Sequence, residues 1–156
     1  MLLFLFQKQK KEKKNIILLF INYDNEKLHI IIKNGAGIVS GGADNTARLY
    51  DIATGQATQV AEHTHPVKCV KVVDILGTQM IITGSWDSTI KYWDMRQPRP
   101  VYSVDIPDKC YAMDAKESLM VAATARQDIC IFDLRNPKTI SKVIILMRYY
   151  SSNIIM

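Results

Sequence analysis

The sequence predicts an all-β fold that contains about three repeated units between residues 35 and 140. Short β-branched and aromatic runs in this region are separated by turn signals rich in Gly, Asp and Thr, which is typical of closely spaced strands. Three segments superimpose on one another: residues 40–51, 83–94 and 122–133. Their final aspartates, at positions 51, 94 and 133, are 43 and 39 residues apart. A period of about 40–45 residues indicates an array of four-stranded units.

The two ends of the chain differ in composition from the repeats. Ile, Leu, Phe, Lys and Asn occupy 26 of the first 34 positions, without sustained alternation or turn punctuation. This segment carries +4 of the formal net charge of +5, so the basic pI says little about the repeats. Its apolar runs are shorter than the roughly 20 residues that span a bilayer, which predicts no export signal and no membrane insertion. We therefore divide the chain into residues 1–34, 35–140 and 141–156, and assign no element to the two flanks.

The second repeat gives the clearest strand pattern. Thr89, Lys91 and Trp93 alternate with two apolar residues, so that one set of side chains faces each neighbouring sheet. We predict, in order, a strand at 81–85, a tight turn at 86–88, a strand at 89–93, a Pro-containing loop at 96–100 and an outer strand at 101–104.

The second repeat also resembles the WD-repeat family. His63 stands thirty residues before Trp93 and resembles the Gly-His start of a WD repeat, with Glu62 where the family usually has Gly. The resemblance implies a β-propeller, of which this chain holds about three of an expected seven blades. It also implies a buried hydrogen-bonded tetrad, in which His63 donates to Asp87 and to Thr83. In that tetrad Thr83 accepts the indole N–H of Trp93.

The first and third repeats lack parts of this tetrad. The first keeps Asp44 at the turn, but no matching His precedes it. In the third, Arg126 occupies the position of the turn aspartate and Phe132 replaces Trp. We therefore expect the tetrad in the second repeat alone.

A narrower resemblance runs from about residue 41 to residue 136. The Gly-Ser-Trp-Asp turn at 84–87 and the Asp-Lys-Cys-Tyr segment at 108–111 resemble the mRNA export factors of the Rae/Gle family. This resemblance implies a propeller that docks on a nucleoporin peptide at the nuclear pore and supports RNA export. RNA and mitotic spindle proteins are further partners that the resemblance implies. The implied locations are the nucleus, the nuclear pore or envelope, and the cytoplasm.

Other kinds of chemistry find little support in the sequence. His63 and His65 are two residues apart without an apparent third ligand, so we expect no metal site. Asp44, Asp87 and Asp94 recur at the repeat period, which indicates turn and strand-end roles rather than catalytic carboxylates. The three cysteines form no Cys-x-x-Cys pair and are expected to be buried and reduced. We expect a non-enzyme with no cofactor and no small-molecule substrate.

Trp86 is the main candidate for partner contact. It lies in a turn, where the fold does not require an aromatic, and exposed Trp is favoured at interfaces. The alternative is that Trp86 packs on a neighbouring blade. His65, Lys68 and Arg126 are further candidates for partner contact. Basic residues in the repeats are interpreted either as an RNA-contacting cluster or as an ordinary solvated surface.

Two other functional interpretations stay open. A generic WD-repeat adaptor, such as a ubiquitin-ligase substrate receptor or a signalling scaffold, has the same fold. A chain of three blades without independent activity is the third interpretation. Three blades leave two apolar faces and open strand edges in water, so we expect residues 35–140 alone to be insoluble or oligomeric.

Overall fold

The computed structural model describes residues 28–31 and 37–145, and it confirms the predicted all-β class. Twelve strands in these residues form three antiparallel sheets of four strands, which we call blades 1, 2 and 3. Blade 1 contains β1 (Leu28–Ile31), β2 (Gly37–Gly41), β3 (Thr46–Asp51) and β4 (Ala57–Glu62). Blade 2 contains β5 (Val67–Ile75), β6 (Thr78–Ser85), β7 (Thr89–Asp94) and β8 (Tyr102–Asp105). Blade 3 contains β9 (Cys110–Lys116), β10 (Leu119–Thr124), β11 (Asp128–Asp133) and β12 (Lys142–Ile145).

Each blade is a meander, because strands that follow one another in the chain pair side by side. The third strand of each blade ends at the recurring aspartate of the repeat, at positions 51, 94 and 133. The outer strand β8 begins and ends one residue later than the sequence predicts. Three consecutive four-stranded meanders confirm the partial propeller.

Two strands lie in the flanks to which the sequence analysis assigns no element. β1 pairs with β2, with Leu28 opposite Gly41 and Ile31 opposite Ile38. β12 pairs with β11, with Asp128 opposite Ile145. Residues 1–27, 32–36 and 146–156 lie outside the described residues. Strand pairing therefore extends beyond residues 35–140 on both sides.

The core lies between the blades because alternate side chains of each strand point to opposite neighbours. Ile81 and Trp93 pack toward blade 1, whereas Ile82, Ile90 and Tyr92 pack toward blade 3. The cluster between blades 1 and 2 contains Val39, Ala47, Ala61, Val67, Val70, Ile81 and Trp93. The larger cluster between blades 2 and 3 includes Met113, Met120, Cys130 and Phe132. Burying each large apolar side chain contributes about 1.5–3 kcal/mol.

Glycines let neighbouring blades approach closely at one recurring position. A Cβ placed on Gly41 would lie 2.8 Å from the backbone oxygen of Val67, at the start of the inner strand of blade 2. A Cβ placed on Gly84 would lie 2.5 Å from Sγ of Cys110, at the start of the inner strand of blade 3. Because side chains do not fit there, both positions require Gly.

One blade face remains without a neighbour in the described residues. Val121, Ile129 and Ile131 alternate with the buried side chains of β10 and β11 and are only partly buried. They point away from blade 2, so blade 3 presents an apolar surface on that side. Residues 28–31 and 37–145 include no helix with the length and hydrophobicity that a membrane crossing requires.

Candidate partner-binding face

Four turns of blades 2 and 3 form one face of the molecule, at residues 63–66, 86–88, 106–109 and 125–127. We call this surface the tetrad face. Backbone hydrogen bonds join each turn to the next: the amide of Trp86 donates to Pro66, that of Ile106 to Ser88, and that of Ala125 to Lys109. The donor–acceptor distances are 3.0, 2.9 and 3.0 Å. The tetrad face is therefore a continuous surface whose turns are joined by backbone hydrogen bonds.

The structure brings the four tetrad residues into one hydrogen-bonded chain. Nδ1 of His63 lies 2.8 Å from Oδ2 of Asp87, and its Nε2 lies 2.7 Å from Oγ1 of Thr83. The indole Nε1–H of Trp93 donates to the same Thr83 hydroxyl oxygen over 2.8 Å. His63 and Trp93 are 4% exposed and Thr83 is fully buried. The chain joins the turn before β5 to strands β6 and β7.

The protonation state of His63 sets the direction of these hydrogen bonds. Burial lowers the pKa of His63, against the opposing influence of Asp87, so the ring is neutral at pH 7. A neutral ring that donates from Nδ1 to Asp87 accepts at Nε2. The hydroxyl of Thr83 therefore donates to His63. This direction is the reverse of the one expected from the sequence, which required both ring nitrogens to donate.

Asp87 anchors the turn through more donors than the tetrad alone supplies. Its Oδ1 accepts from the hydroxyl and the amide of Thr89, over 2.6 and 3.0 Å. Its Oδ2 accepts from His63 and from the amide of Thr64. Burial opposes ionisation, but these hydrogen bonds outweigh it and lower the pKa of Asp87 to about 2. Neither Thr64 nor Thr89 was expected from the sequence, although the spacing of Asp87 and Thr89 is a local turn signal. Thr64 carries no such signal, because it is 23 residues from Asp87 in the chain.

The tight turns of the three blades share one backbone conformation. Asn45, Ser88 and Gln127 all have φ between 62° and 69°, in the left-handed region. In blades 1 and 2 the preceding Asp accepts the amide of the Thr that follows the turn. Blade 3 has Arg126 there, and Thr124 instead accepts the amide of Asp128 over 3.3 Å. Blade 3 therefore keeps the same turn conformation without the aspartate.

Trp86 stands at the junction between blades 2 and 3. Its ring centroid lies 6.2 Å from that of Tyr111, and Nζ of Lys109 lies 5.6 Å from the ring. The indole is only partly buried, and Tyr111 is 51% exposed. Within the described residues the Nε1–H of Trp86 is buried and has no hydrogen-bond partner. The side chain thus packs on the neighbouring blade and also contributes to the surface; we call Trp86, Lys109 and Tyr111 the aromatic cluster.

The other candidate contact residues are spread over the same two blades. His65 is exposed, and its Nδ1 lies 3.2 Å from the hydroxyl of Thr64. Arg126 is exposed, with Nε 3.8 Å from a carboxylate oxygen of Asp128. Lys68 is partly buried in β5. His65 and Arg126 lie in turns of the tetrad face, whereas Lys68 lies one residue inside the inner strand of blade 2.

On the opposite face, blades 2 and 3 share an Asp–Arg ion pair at the end of the third strand. Asp94 binds Arg96 in a bidentate pair, with Nε–Oδ1 and Nη2–Oδ2 distances of 2.9 and 2.7 Å. Asp133 binds Arg135 in the same way, at 2.9 and 2.6 Å. Hydrogen bonds to these arginines lower the pKa of each carboxyl to about 2. These aspartates hold the turns that follow their strands.

Neither face has the geometry of a metal site. The part of the chain that the structure describes holds no group of three or more His, Cys, Asp or Glu side chains arranged to bind a metal ion. Of the two histidines considered in the sequence, His63 uses both ring nitrogens within the tetrad.

Comparison with known proteins identifies the repeats. The model of the family "WD domain, G-beta repeat" matches residues 56–94. The chain is 45% identical over 112 residues to the poly(A)+ RNA export protein of Schizosaccharomyces pombe, covering 71% of this chain and 32% of that protein. It is 47% identical over 105 residues to the mRNA export factor GLE2 of Chaetomium thermophilum, covering 67% and 29%. It is 35% identical over 106 residues to protein Rae1 of Drosophila melanogaster, covering 68% and 31%.

A solved structure shares the fold. The crystal structure of the computationally designed Ika8 protein matches with a TM-score of 0.61 and 22% identity, covering 70% of this chain and 33% of that one. The chain spans about a third of the length of the curated relatives that it matches. This chain is a WD-repeat protein that forms a partial propeller, and its repeats are of the Rae/Gle type.

Proposed function

We propose that this chain acts in mRNA export as a non-catalytic scaffold that docks a nucleoporin segment on its tetrad face. The proposal takes its biological setting from the relatives, whose names describe poly(A)+ RNA export and mRNA export. RNA and spindle proteins are further proposed partners, and the proposed locations are the nucleus, the nuclear pore or envelope, and the cytoplasm. The fold supports a binding role, because propeller turns present side chains on a rigid platform.

The aromatic cluster is the observation that carries the proposal. Trp86 and Tyr111 come from different blades, and Lys109 lies over the indole ring. Trp and Tyr dominate binding energy at interfaces, because they bury a large rigid area and lose little conformational entropy. A partner that covers Tyr111 would desolvate an aromatic ring that is now 51% exposed. If the partner displaced the atoms that cover Nε1 of Trp86, it would also supply a hydrogen-bond acceptor for that N–H, which has none in the described residues.

The hydrogen-bonded tetrad contributes by fixing the position of this surface. The Trp86 turn is held by the hydrogen bond that its amide donates to the carbonyl oxygen of Pro66, and by the carboxylate of Asp87 next to it, which accepts the amide of Thr89. Because the tetrad joins Asp87 to His63 and Thr83 inside the blade, the turn has one defined conformation. A preorganised surface loses less entropy on binding. The tetrad is thus a support for the contact residues and does not touch the partner.

A matched pair of substitutions tests the docking surface. Tyr111→Ala removes the side chain of a residue that is 51% exposed at the start of β9, beside the tetrad face. Tyr50→Ala removes the side chain of a residue that is 44% exposed on strand β3 of blade 1. Affinity of the full chain for immobilised nucleoporin fragments is measured for both variants and for Trp86→Ala. We expect Tyr111→Ala and Trp86→Ala to weaken binding about tenfold or more, which corresponds to about 1.4 kcal/mol, and Tyr50→Ala to leave it unchanged.

The result that contradicts the proposal is equally specific. Equal affinity of Tyr111→Ala and Tyr50→Ala would remove the aromatic cluster from the docking surface. Binding of RNA alone, with a strong salt dependence and no retention on nucleoporin fragments, would replace the proposed function with direct RNA contact.

A further inference from the structure

Two cysteines from adjacent blades face each other across a glycine. Cys69 belongs to the inner strand of blade 2 and is paired with Gly84 of β6. Cys110 begins the inner strand of blade 3. A Cβ placed on Gly84 would lie 2.5 Å from Sγ of Cys110 and 3.4 Å from Cβ of Cys69. Because Gly84 has no side chain, Sγ of Cys110 occupies the space beside it, and the Cβ of Cys69 borders the same space.

Both thiols are buried but close to the surface. Cys69 is 2% exposed and Cys110 is fully buried. Each follows an exposed residue of the tetrad face closely in the chain: Cys69 comes four residues after His65, and Cys110 comes directly after Lys109. The residue after Cys110 is Tyr111, which is 51% exposed. A local opening of these turns would expose the two thiols to a small oxidant.

The strand ladder is irregular next to each thiol. The register between β5 and β6 shifts between Val67 and Cys69. The register between β9 and β10 shifts next to Thr124, the residue paired with Cys110. Such β-bulges disrupt the ladder locally, which favours local opening at the start of each strand.

The surroundings assign different roles to the two thiols. The contact with the Cys110 thiol lowers the pKa of Cys69 against the effect of burial, with a smaller contribution from Lys68 and Lys71. The same contact, together with burial, raises the pKa of Cys110. The thiolate is the reactive form of cysteine, and two cations, Lys68 and Lys71, lie on the strand that carries Cys69. We therefore assign the first oxidation step to Cys69 and the resolving step to Cys110.

We propose that Cys69 and Cys110 form a peroxide-oxidisable dithiol site, which closes to a disulfide between blades 2 and 3. The Cys69 thiolate attacks one oxygen of hydrogen peroxide, which breaks the O–O bond and forms a sulfenic acid on Cys69; the released hydroxide takes up a proton to become water. Sγ of Cys110 then attacks the sulfenic sulfur and expels hydroxide, which combines with the proton of the Cys110 thiol. In sum, two thiols and one peroxide give one disulfide and two waters.

The disulfide would tie together the two blades that carry the aromatic cluster. Trp86 lies two residues after Gly84, and Tyr111 follows Cys110. Oxidation would therefore act on the spacing of these two rings, whichever partner the tetrad face binds. The chemistry itself does not depend on the proposed function, because it needs only the two thiols and the oxidant.

Peptide mapping of the full chain tests the site directly. The protein is exposed to hydrogen peroxide, unfolded in the presence of an alkylating reagent, digested without reductant and analysed by mass spectrometry. We expect one intramolecular disulfide joining Cys69 to Cys110, lost on reduction with dithiothreitol, while Cys130 is alkylated. Cys130→Ser is the matched control, since Cys130 is also buried, and we expect it to leave the disulfide in place.

A second variant tests the order of the steps. In Cys110→Ser no resolving thiol remains, so we expect Cys69 to stop at the sulfenic acid and to be labelled by dimedone. Alkylation of all three cysteines after peroxide treatment would overturn the proposal. So would a disulfide that includes Cys130, or disulfides that join two copies of the chain. If the reduced protein does not bind nucleoporin fragments, the proposed function is wrong, but the dithiol proposal is unaffected.

Discussion

Replacing Thr83 with Val tests the hydrogen-bonded tetrad with almost no change in side-chain shape. The Thr83 hydroxyl donates to Nε2 of His63 over 2.7 Å and accepts the indole N–H of Trp93 over 2.8 Å. Thr83→Val removes both hydrogen bonds and leaves two buried polar groups without a partner. We expect the fold to form, but with a lower free energy of unfolding.

The expected loss follows from the burial of the two groups left behind. An unsatisfied buried donor or acceptor costs about 1–3 kcal/mol. His63 and Trp93 are both 4% exposed, so water does not replace the lost hydroxyl without local opening. The two costs are not additive, because both groups lose the same partner atom. We therefore expect Thr83→Val to lower the free energy of unfolding by about 2–4 kcal/mol.

Urea unfolding at one fixed protein concentration measures this loss, with tryptophan fluorescence as the signal. Thr58→Val is the matched control, because Thr58 is exposed on β4 and its substitution is expected to change the free energy by less than about 0.5 kcal/mol. A loss for Thr83→Val no larger than that of the control would refute a buried, connected tetrad.

Three further predictions concern Tyr92, His63 and Asp87. The hydroxyl of Tyr92 is buried and has no hydrogen-bond partner within the described residues, so Tyr92→Phe is expected to raise the free energy of unfolding by about 1 kcal/mol. A loss of similar size in urea unfolding would reveal a partner for that hydroxyl. The pKa of His63 is lowered in the folded state, so just below pH 6.5 the unfolded chain binds more protons than the folded chain. The free energy of unfolding should therefore fall as the pH falls below 6.5. The pKa of Asp87 is lowered to about 2, so a second loss of folding free energy should follow between pH 3.8 and 2. A urea unfolding midpoint that does not change from pH 7 to pH 5 would contradict the neutral state of His63.

The repeat pattern was sufficient to predict the blades, because it is local. In each blade the tight turn and the strand-end Asp lie at the two ends of one strand, and both recur at the repeat period, so β3, β7 and β11 could be located from the sequence. β1 and β12 could not, because their residues are mostly apolar without alternation and no turn signal separates them from the flanks. Their pairing is decided by the unpaired edges of β2 and β11, which exist only after the blades fold.

The candidate site could be predicted only in part, for a related reason. The spacing of His63 and Trp93, read through the family resemblance, led to the tetrad residues, but the direction of the His63–Thr83 bond depends on burial of the ring. The contact of Trp86 with Tyr111 joins two blades, and no local pattern relates residues that far apart. The closeness of Cys69 to Cys110 depends likewise on how the blades stack.

Hydrogen exchange of the Trp93 indole proton measures the central feature of the fold most directly. In the full chain labelled with 15N at the indole nitrogens, the two tryptophan signals are assigned with Trp86→Phe and followed in heavy water. If Thr83 and His63 hold that proton inside blade 2, the Trp93 signal persists until the chain unfolds globally, and Thr83→Val makes it exchange faster. A Trp93 indole proton that exchanges as rapidly as that of free tryptophan would contradict the stacked blades and the docking face built on them.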